Sequence, residues 1–439
     1  MQAVAQVRSG MGRLPVRVTI LAGLAFGSNG MNLGVLSFAL LGLKASWGLT
    51  PGQAGLLIMA AGAGQLAGGL LMGFVADWVG RRVGFGATVA LSSLGTGAAA
   101  LAPSLSWIVL ALFLAGIGFG GVAPVATSLV GEFAPRRSRG ALIGWTQVVW
   151  ILGWILAAVG GVVAGHGLGW RAVFLVGLLP VVLAVIGPWL VPESPRYLLA
   201  HGRRREAEAL ARTLSERYGV ALELPDQEQA GRASIFAHLA ELWSPRFRRH
   251  SFLIWAVWFV MIGAYNGPII LLPALLSAQG FPNPDQASLL VAIVMGLPVV
   301  AATLLIDRVG RKPVIICGLV LGAAGAVGVA AARTEAGILA AAMTLAGGVL
   351  ASWPVILSYA AELYPTRIRA TAMGWASAAG RTGAILAPAM LGIVMRSWTT
   401  GRGPALSIFA FTLVVAALII LFLGEETAGR SLEETAGVA

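Results

Sequence analysis

The sequence predicts an all-α membrane protein, with twelve transmembrane helices in two pseudo-symmetric six-helix bundles. Three observations predict it. Of the 439 residues, 58% are hydrophobic and only 11% charged. A soluble domain needs about 25% charged residues to cover its surface, so lipid has to be the outer solvent. The apolar residues also come in runs of about the ~20 residues a membrane helix requires. Finally, the two halves of the chain repeat at one constant offset of 230 residues. The alternative is one very large soluble core, but such cores stop growing near ~250–300 residues.

The first six runs are 16–42, 52–77, 84–102, 106–131, 141–165 and 171–190. The second six are 251–277, 285–307, 313–331, 336–361, 370–394 and 404–423. Between them, residues 191–250 form the one long polar stretch, which contains the charged amphipathic pattern SPRYLLAHGRRREAEALARTLSERYG. The expected organisation is an N-terminal bundle over 1–190, a linker with amphipathic helices over 191–250, and a C-terminal bundle with its tail over 251–439. The basic N-terminal stretch shows no cleavage site after a short apolar core, so it reads as a tail leading into the first helix.

The formal net charge of +12 would suggest nucleic acid in a soluble protein. Here the charge sits in short loops. Of 30 Lys and Arg residues, Lys44, Arg171, Arg333, Arg396 and Arg402 fall on one side, and Arg381 falls inside a run. The rest fall on the other side, which the positive-inside rule makes cytoplasmic. A multi-pass protein of the cell (inner) membrane with both termini in the cytoplasm is therefore expected. It is read as a monomer in the lipid bilayer with no nucleic-acid partner. The single cysteine, Cys317, carries no redox signal.

At the 230-residue offset Asp77 pairs with Asp307, Gly80 with Gly310, Arg81 with Arg311 and Arg82 with Lys312. Glu132 pairs with Glu362, Pro135 with Pro365, Arg137 with Arg367, Arg139 with Arg369, and Trp145 with Trp375. Chance does not hold one offset across two separate loops. Parallel repeats of this kind place a solute at the midplane between halves and expose it alternately to the two sides.

The run from Gly73 through Asp77 to Gly80, Arg81 and Arg82 resembles the signature loop of the major facilitator superfamily, between helices 2 and 3. Its repeat runs from Asp307 to Lys312, with Thr303 in place of the leading glycine. The Glu132–Arg139 and Glu362–Arg369 elements resemble the family's Glu-x6-Arg segments after helices 4 and 10. Pro192–Leu198 and Glu425–Glu433 resemble elements of its sugar-porter and organic-ion branches. The stretch Glu362–Arg381 is similar to bacterial organic-acid and metabolite carriers of the niacin and aromatic-acid type. The resemblance covers nearly the whole chain. It implies a secondary active or facilitative transporter of a small organic solute, an organic acid or metabolite, with no cofactor.

The physical reading of the loops is a charge latch. Carboxylates at Asp77, Glu132, Asp307 and Glu362 stand at helix ends among Arg81, Arg82, Arg139, Arg311 and Arg369. Ion pairs there gain from the helix dipole as well as from the pair itself. Gly73 and Gly80 belong to the same element. The bland alternative is that the arginines only set topology.

For the solute, Arg381 is the one charge deep in a run, and such charges face a cavity or a partner. Gly374, Ser377, Ala378, Ala384 and Pro388 share its helical face, which leaves room beside it. Asn29 and Asn32 occupy helix 1 where proton-coupled relatives carry aspartates, and amides do not titrate. Gln147 shares a face with Trp150 and Trp154; Tyr265 lies on a helix 7 face with Trp255, Trp258 and Ile262, next to Asn266. The expected solute-binding set is Arg381, Asn29, Asn32, Gln147, Tyr265 and Asn266. The alternatives are a structural arginine and amides that tie helices together.

Other classes remain as alternatives. A sugar porter fits the motifs, but residues 263–267 lack the paired glutamines expected of a sugar site. A drug/proton antiporter fits less well, because residues 144–154 lack its Gly-Pro-rich signature. A solute sensor would bind without flux. No metal cluster, nucleophile elbow or phosphate loop appears, so an enzyme is not expected. His166 and His201 receive no role.

Overall fold

The computed structural model describes residues 13–133, 139–191, 193–200, 202–218, 235–364, 366–395 and 402–427. Among these residues the chain is helical with no strand. The first half forms α1 (Arg13–Trp47), α2 (Pro51–Val79), α3 (Arg81–Ala99), α4 (Leu105–Phe133), α5 (Arg139–Val176) and α6 (Val181–Leu190). The connecting stretch carries α7 (Pro195–Ala200), α8 (Arg204–Tyr218) and α9 (Ile235–Leu242). The second half forms α10 (Arg248–Ala264), a π-helical turn (Tyr265–Ile269), α11 (Leu272–Ala278), α12 (Pro284–Val294) and α13 (Gly296–Val309). It continues with α14 (Arg311–Ala331), α15 (Glu335–Glu362), α16 (Thr366–Val394) and α17 (Arg402–Leu423).

Eleven helical segments among the described residues are long and apolar enough to cross a membrane. The run expected over 84–102 is α3, which exists as a helix but falls outside that set. Its interior carries Thr88, Ser92, Ser93 and Thr96, all fully buried. Thr88, Ser92 and Thr96 donate to the carbonyls of Phe85, Val89 and Ser92 within the same helix. Hydroxyls that bond their own turn are cheaper to bury than free ones, and of the four only Ser93 Oγ is buried without a bond.

Three expected runs are interrupted, and one boundary between runs is only a kink; the run 171–190 breaks between Val176 and Val181. The boundary near residue 170 is a kink inside α5 at Gly169, whose φ is +76°. The run 251–277 breaks at the π turn, which contains Pro268. The run 285–307 breaks at Met295, between α12 and α13.

By packing, the chain divides into two compact units. One is Met1–Val35, Gly64–Ala157 and Phe174–Arg232; the other is Leu36–Ala63, Ala158–Val173 and Ala233–Ala439. In the first unit α1 and α5 meet at glycines: a side chain at Gly153 would overlap the Gly27 carbonyl, and one at Gly30 would overlap that of Trp150. Lipid tails are as apolar as leucine, so close backbone approach, rather than hydrophobicity, drives such contacts. A cluster of Leu14, Val18, Phe85, Phe133, Leu142, Val191 and Leu214 joins α8 to the bundle. Leu214 is 6% exposed, and full burial of a leucine stabilises by about 1.5–3 kcal/mol.

In the second unit α10 packs on α16, and Gly383 of α16 lies against the Phe259 backbone. The unit also ties the later part of α1 to the interrupted helix. Ser37 Oγ donates to the Ile270 carbonyl at 2.6 Å. Lys44 Nζ donates to the Ala274 carbonyl at 3.1 Å and to Ser277 Oγ at 3.4 Å.

Candidate functional site

Each repeat has a glycine in the left-handed region immediately before a helix. Gly80 has φ +103° and precedes α3; Gly310 has φ +102° and precedes α14. The first amides of those helices lack intrahelical partners. In the first unit the Glu193 Oε1 accepts from the amides of Arg81 at 2.9 Å, Arg82 at 3.4 Å and Ser194 at 3.0 Å. In the second, Glu426 Oε1 accepts from Arg311 at 2.9 Å and Thr427 at 3.0 Å, and its Oε2 from Lys312 at 3.0 Å. A carboxylate at a helix start satisfies orphan donors and complements the dipole. Both turns require glycine for a second reason. A Cβ would lie 2.6 Å from Glu193 Oε2 in one and 2.7 Å from Glu426 Oε2 in the other.

Glu193 and Glu426 were missing from the expected latch. A signal was present, because both sit in quoted motifs and lie 233 residues apart, close to the repeat offset. The remaining bonds around the Gly310 turn include an ion pair between two residues the sequence singled out. Arg311 forks onto Glu362, with Nε donating to Oε2 at 3.2 Å and Nη2 to Oε1 at 3.0 Å. Arg311 Nη1 also donates to the Ile306 carbonyl at 3.2 Å, near the end of α13. Thr427 Oγ1 donates to Glu362 Oε2 at 2.5 Å, and Lys312 Nζ to the Gly424 carbonyl at 3.0 Å. These bonds bind the ends of α13, α14, α15 and α17 together. The side chains of Gly73, Asp77, Glu132, Arg139, Asp307 and Arg369 lie outside the described residues, as do Pro135, Arg136, Arg137, Pro365 and His201.

The residues expected to bind solute in the second unit lie on the π turn after α10 and on α16. Tyr265 and Asn266 are buried at the start of the turn. Asn266 Nδ2 donates to its own helix at the Ile262 carbonyl, 2.9 Å away. Its Oδ1 is buried and accepts no hydrogen bond, and the indole N–H of Trp258 is likewise buried without a partner. Trp258 packs on Trp353 with ring centroids 5.4 Å apart, and Trp255 stacks on Trp375 at 5.8 Å. Gly380, the residue before Arg381, packs on Ile262 and the Trp258 backbone. Arg381 is thus one residue from the α10 seam and is partly buried. The room expected along its whole face is only half there. Gly62 packs on Ala384 and Gly55 on Pro388, whereas Gly374 has nothing nearby.

In the first unit Asn29 Nδ2 donates to the Phe119 carbonyl at 3.2 Å, and Asn32 Nδ2 to Ser92 Oγ at 3.0 Å. Each amide thereby ties α1 to a neighbouring helix, and each Oδ1 is left without a donor. Gln147 is partly buried on α5, three residues before the stacked pair Trp150 and Trp154, whose centroids are 6.0 Å apart.

A family model described as sugar (and other) transporter matches residues 17–438. The niacin transporter NiaP of Acinetobacter baylyi is 33% identical over 429 residues, covering 96% of this chain and 97% of that protein. The putative niacin/nicotinamide transporter NiaP of Bacillus subtilis is 29% identical over 414 residues, covering 94% and 96%. Among solved structures, the partially occluded inward-open xylose transporter XylE from E. coli superposes with TM-score 0.76 at 20% identity, over 95% of this chain and 99% of that one. At that identity the likeness shows the fold alone.

Proposed function

Because this chain belongs to the sugar (and other) transporter family and is a multi-pass carrier of small organic solutes, we propose that its solute is a planar aromatic monocarboxylate of the niacin class. The observation that carries this reading is the position of Arg381, next to the α10 seam that holds the Trp258–Trp353 pair. A guanidinium receives a carboxylate as a two-pronged fork, and indole faces receive a flat ring. Tyr265 and Asn266 add polar contacts in this reading. Asn29 and Asn32 are assigned to holding α1 in its bundle, since each already donates to a neighbouring helix.

Movement is by alternating access of the two six-helix repeats, 1–190 and 251–439, joined by 191–250. The carrier is a monomer of the inner membrane with both termini in the cytoplasm. The Arg311–Glu362 fork and the Glu193 and Glu426 caps act as the cytoplasmic latch. The support is their repetition and their place on the basic side of the chain.

The test is counterflow in proteoliposomes loaded with unlabelled nicotinate. Labelled nicotinate should exchange, and Arg381→Ala should abolish exchange. Arg381→Lys should weaken it by about tenfold, because a fork becomes a point charge. Exchange of xylose without nicotinate would instead establish the sugar-porter alternative, and binding without any flux would establish a sensor.

A further inference from the structure

The turns at Gly80 and Gly310 share a carboxylate cap but not the fate of their second basic residue. Lys312 is spent on the Gly424 carbonyl at 3.0 Å. Its counterpart Arg82 has an exposed side chain. The guanidinium carbon lies 5.9 Å from the centre of the Trp189 ring, and among the described residues it has no acidic partner. The Trp189 ring is itself 78% exposed, and Trp78, the penultimate residue of α2, is exposed to the same extent. The residue matching Trp78 in the second repeat is Arg308. The arrangement of exposed indoles with an uncommitted cation therefore occurs in one repeat and not in the other, so the shared latch does not account for it.

The surroundings say what meets it. Leu70 and Leu71 on α2, and Val185 and Ile186 on α6, are exposed apolar side chains. In a membrane carrier these face hydrocarbon. Trp78 and Trp189 come next along the same two helices, at the level where tryptophan prefers the boundary between acyl chains and headgroups. Arg82 lies four residues beyond Trp78, at the start of α3, on the side that the charge bias makes cytoplasmic. A cation resting on an exposed ring is weakly held. The same guanidinium makes two parallel charge-assisted bonds to a phosphate.

We propose that Arg82, Trp78 and Trp189 dock an anionic phospholipid of the cytoplasmic leaflet, with its phosphate on the Arg82 guanidinium. The site rests on the orientation given above. It also touches the latch through one residue, because the Arg82 amide is the long, 3.4 Å contact of the Glu193 cap.

The test is native mass spectrometry of the full-length carrier, titrated with phosphatidylglycerol or phosphatidylcholine. Wild type should retain phosphatidylglycerol about fivefold better, the size expected of one cation at an anionic surface. Arg82→Gln should bring the ratio close to one, and Arg82→Lys should restore part of it. Arg308→Gln removes the same charge elsewhere and should leave the ratio unchanged. If Arg82→Gln is not monodisperse, Trp189→Leu serves in its place and should also lower the ratio. The proposal is overturned by a wild type without preference, by Arg82→Gln retaining it, or by Arg308→Gln lowering it equally. The readout is lipid retained rather than solute moved, so a wrong solute assignment does not affect the outcome. Labelling of the 191–250 stretch from either side checks the orientation separately.

Discussion

At Gly310 the backbone holds φ +102°, and a methyl group would lie 2.7 Å from the Glu426 carboxylate. Gly310→Ala should therefore destabilise the carrier by roughly 1–3 kcal/mol, through backbone strain and loss of the cap. Gly374 is helical with open space around it, so Gly374→Ala should stabilise by roughly 0.5–1 kcal/mol. Thermal melts of the two purified variants should move in opposite directions; shifts of the same sign would refute the strain argument. Glu426→Gln retains an acceptor and loses the charge, so it should cost about 0.3–1 kcal/mol. Glu426→Ala should cost about 0.5–2 kcal/mol. The importance of Glu193 and Glu426 was hard to read in advance. Each bonds a turn more than one hundred positions away, and nothing local to either residue names its partner. Arg311 and Glu362, by contrast, stood out because the repeat doubled them.

The helices were legible from apolar run length, but their interruptions were not. Pro268 lies inside a run of ordinary apolar residues, and only the structure shows a π turn forming around it. α3 is the opposite case. Its hydroxyls lower its apolar character, yet the repeat required a helix there, and the buried Thr88 and Thr96 bonds show how it is tolerated. The α1–α5 seam gives a prediction at this scale. Gly153 lies against the Gly27 backbone, so Gly153→Val should prevent close approach and sharply reduce monodisperse protein in gel filtration. Gly403→Ala, with nothing near it, should behave as wild type. Equal yields from both would show that the seam tolerates separation.

For the molecule as a whole, the class of protein was fixed by composition and repetition, and the fold follows from both. Which face each polar residue uses did not follow. Asn32 shares a helix with the expected solute path, but its amide reaches Ser92. A one-sequence reading gives spacing and not azimuth once a helix is surrounded on all sides. The same residue bears on energetics. Asn29 and Asn32 have no protonation equilibrium in the physiological range, so these two positions of α1 offer no proton site. In proteoliposomes, an imposed pH gradient should not accumulate a non-titrating solute above its external level. Accumulation that collapses with a protonophore would show that coupling runs through another residue, with Glu132 the first to test.

The paired caps also set a schedule for biosynthesis. α3 starts at Arg81 but takes its cap from Glu193, and α14 starts at Arg311 but takes its cap from Glu426. A ribosome making about 5–20 residues per second needs roughly 12–47 s to cover the 233 residues from one cap to the other. During that interval the first repeat has its carboxylate in place while the second repeat is still being made, so the two caps form in sequence. A ribosome-arrested chain ending near residue 260 should already protect the Gly80 turn from protease. One ending just before Glu426 should leave the Gly310 turn open to cleavage. Equal protection of both turns in that longer chain would mean that α14 holds its start without the distant carboxylate.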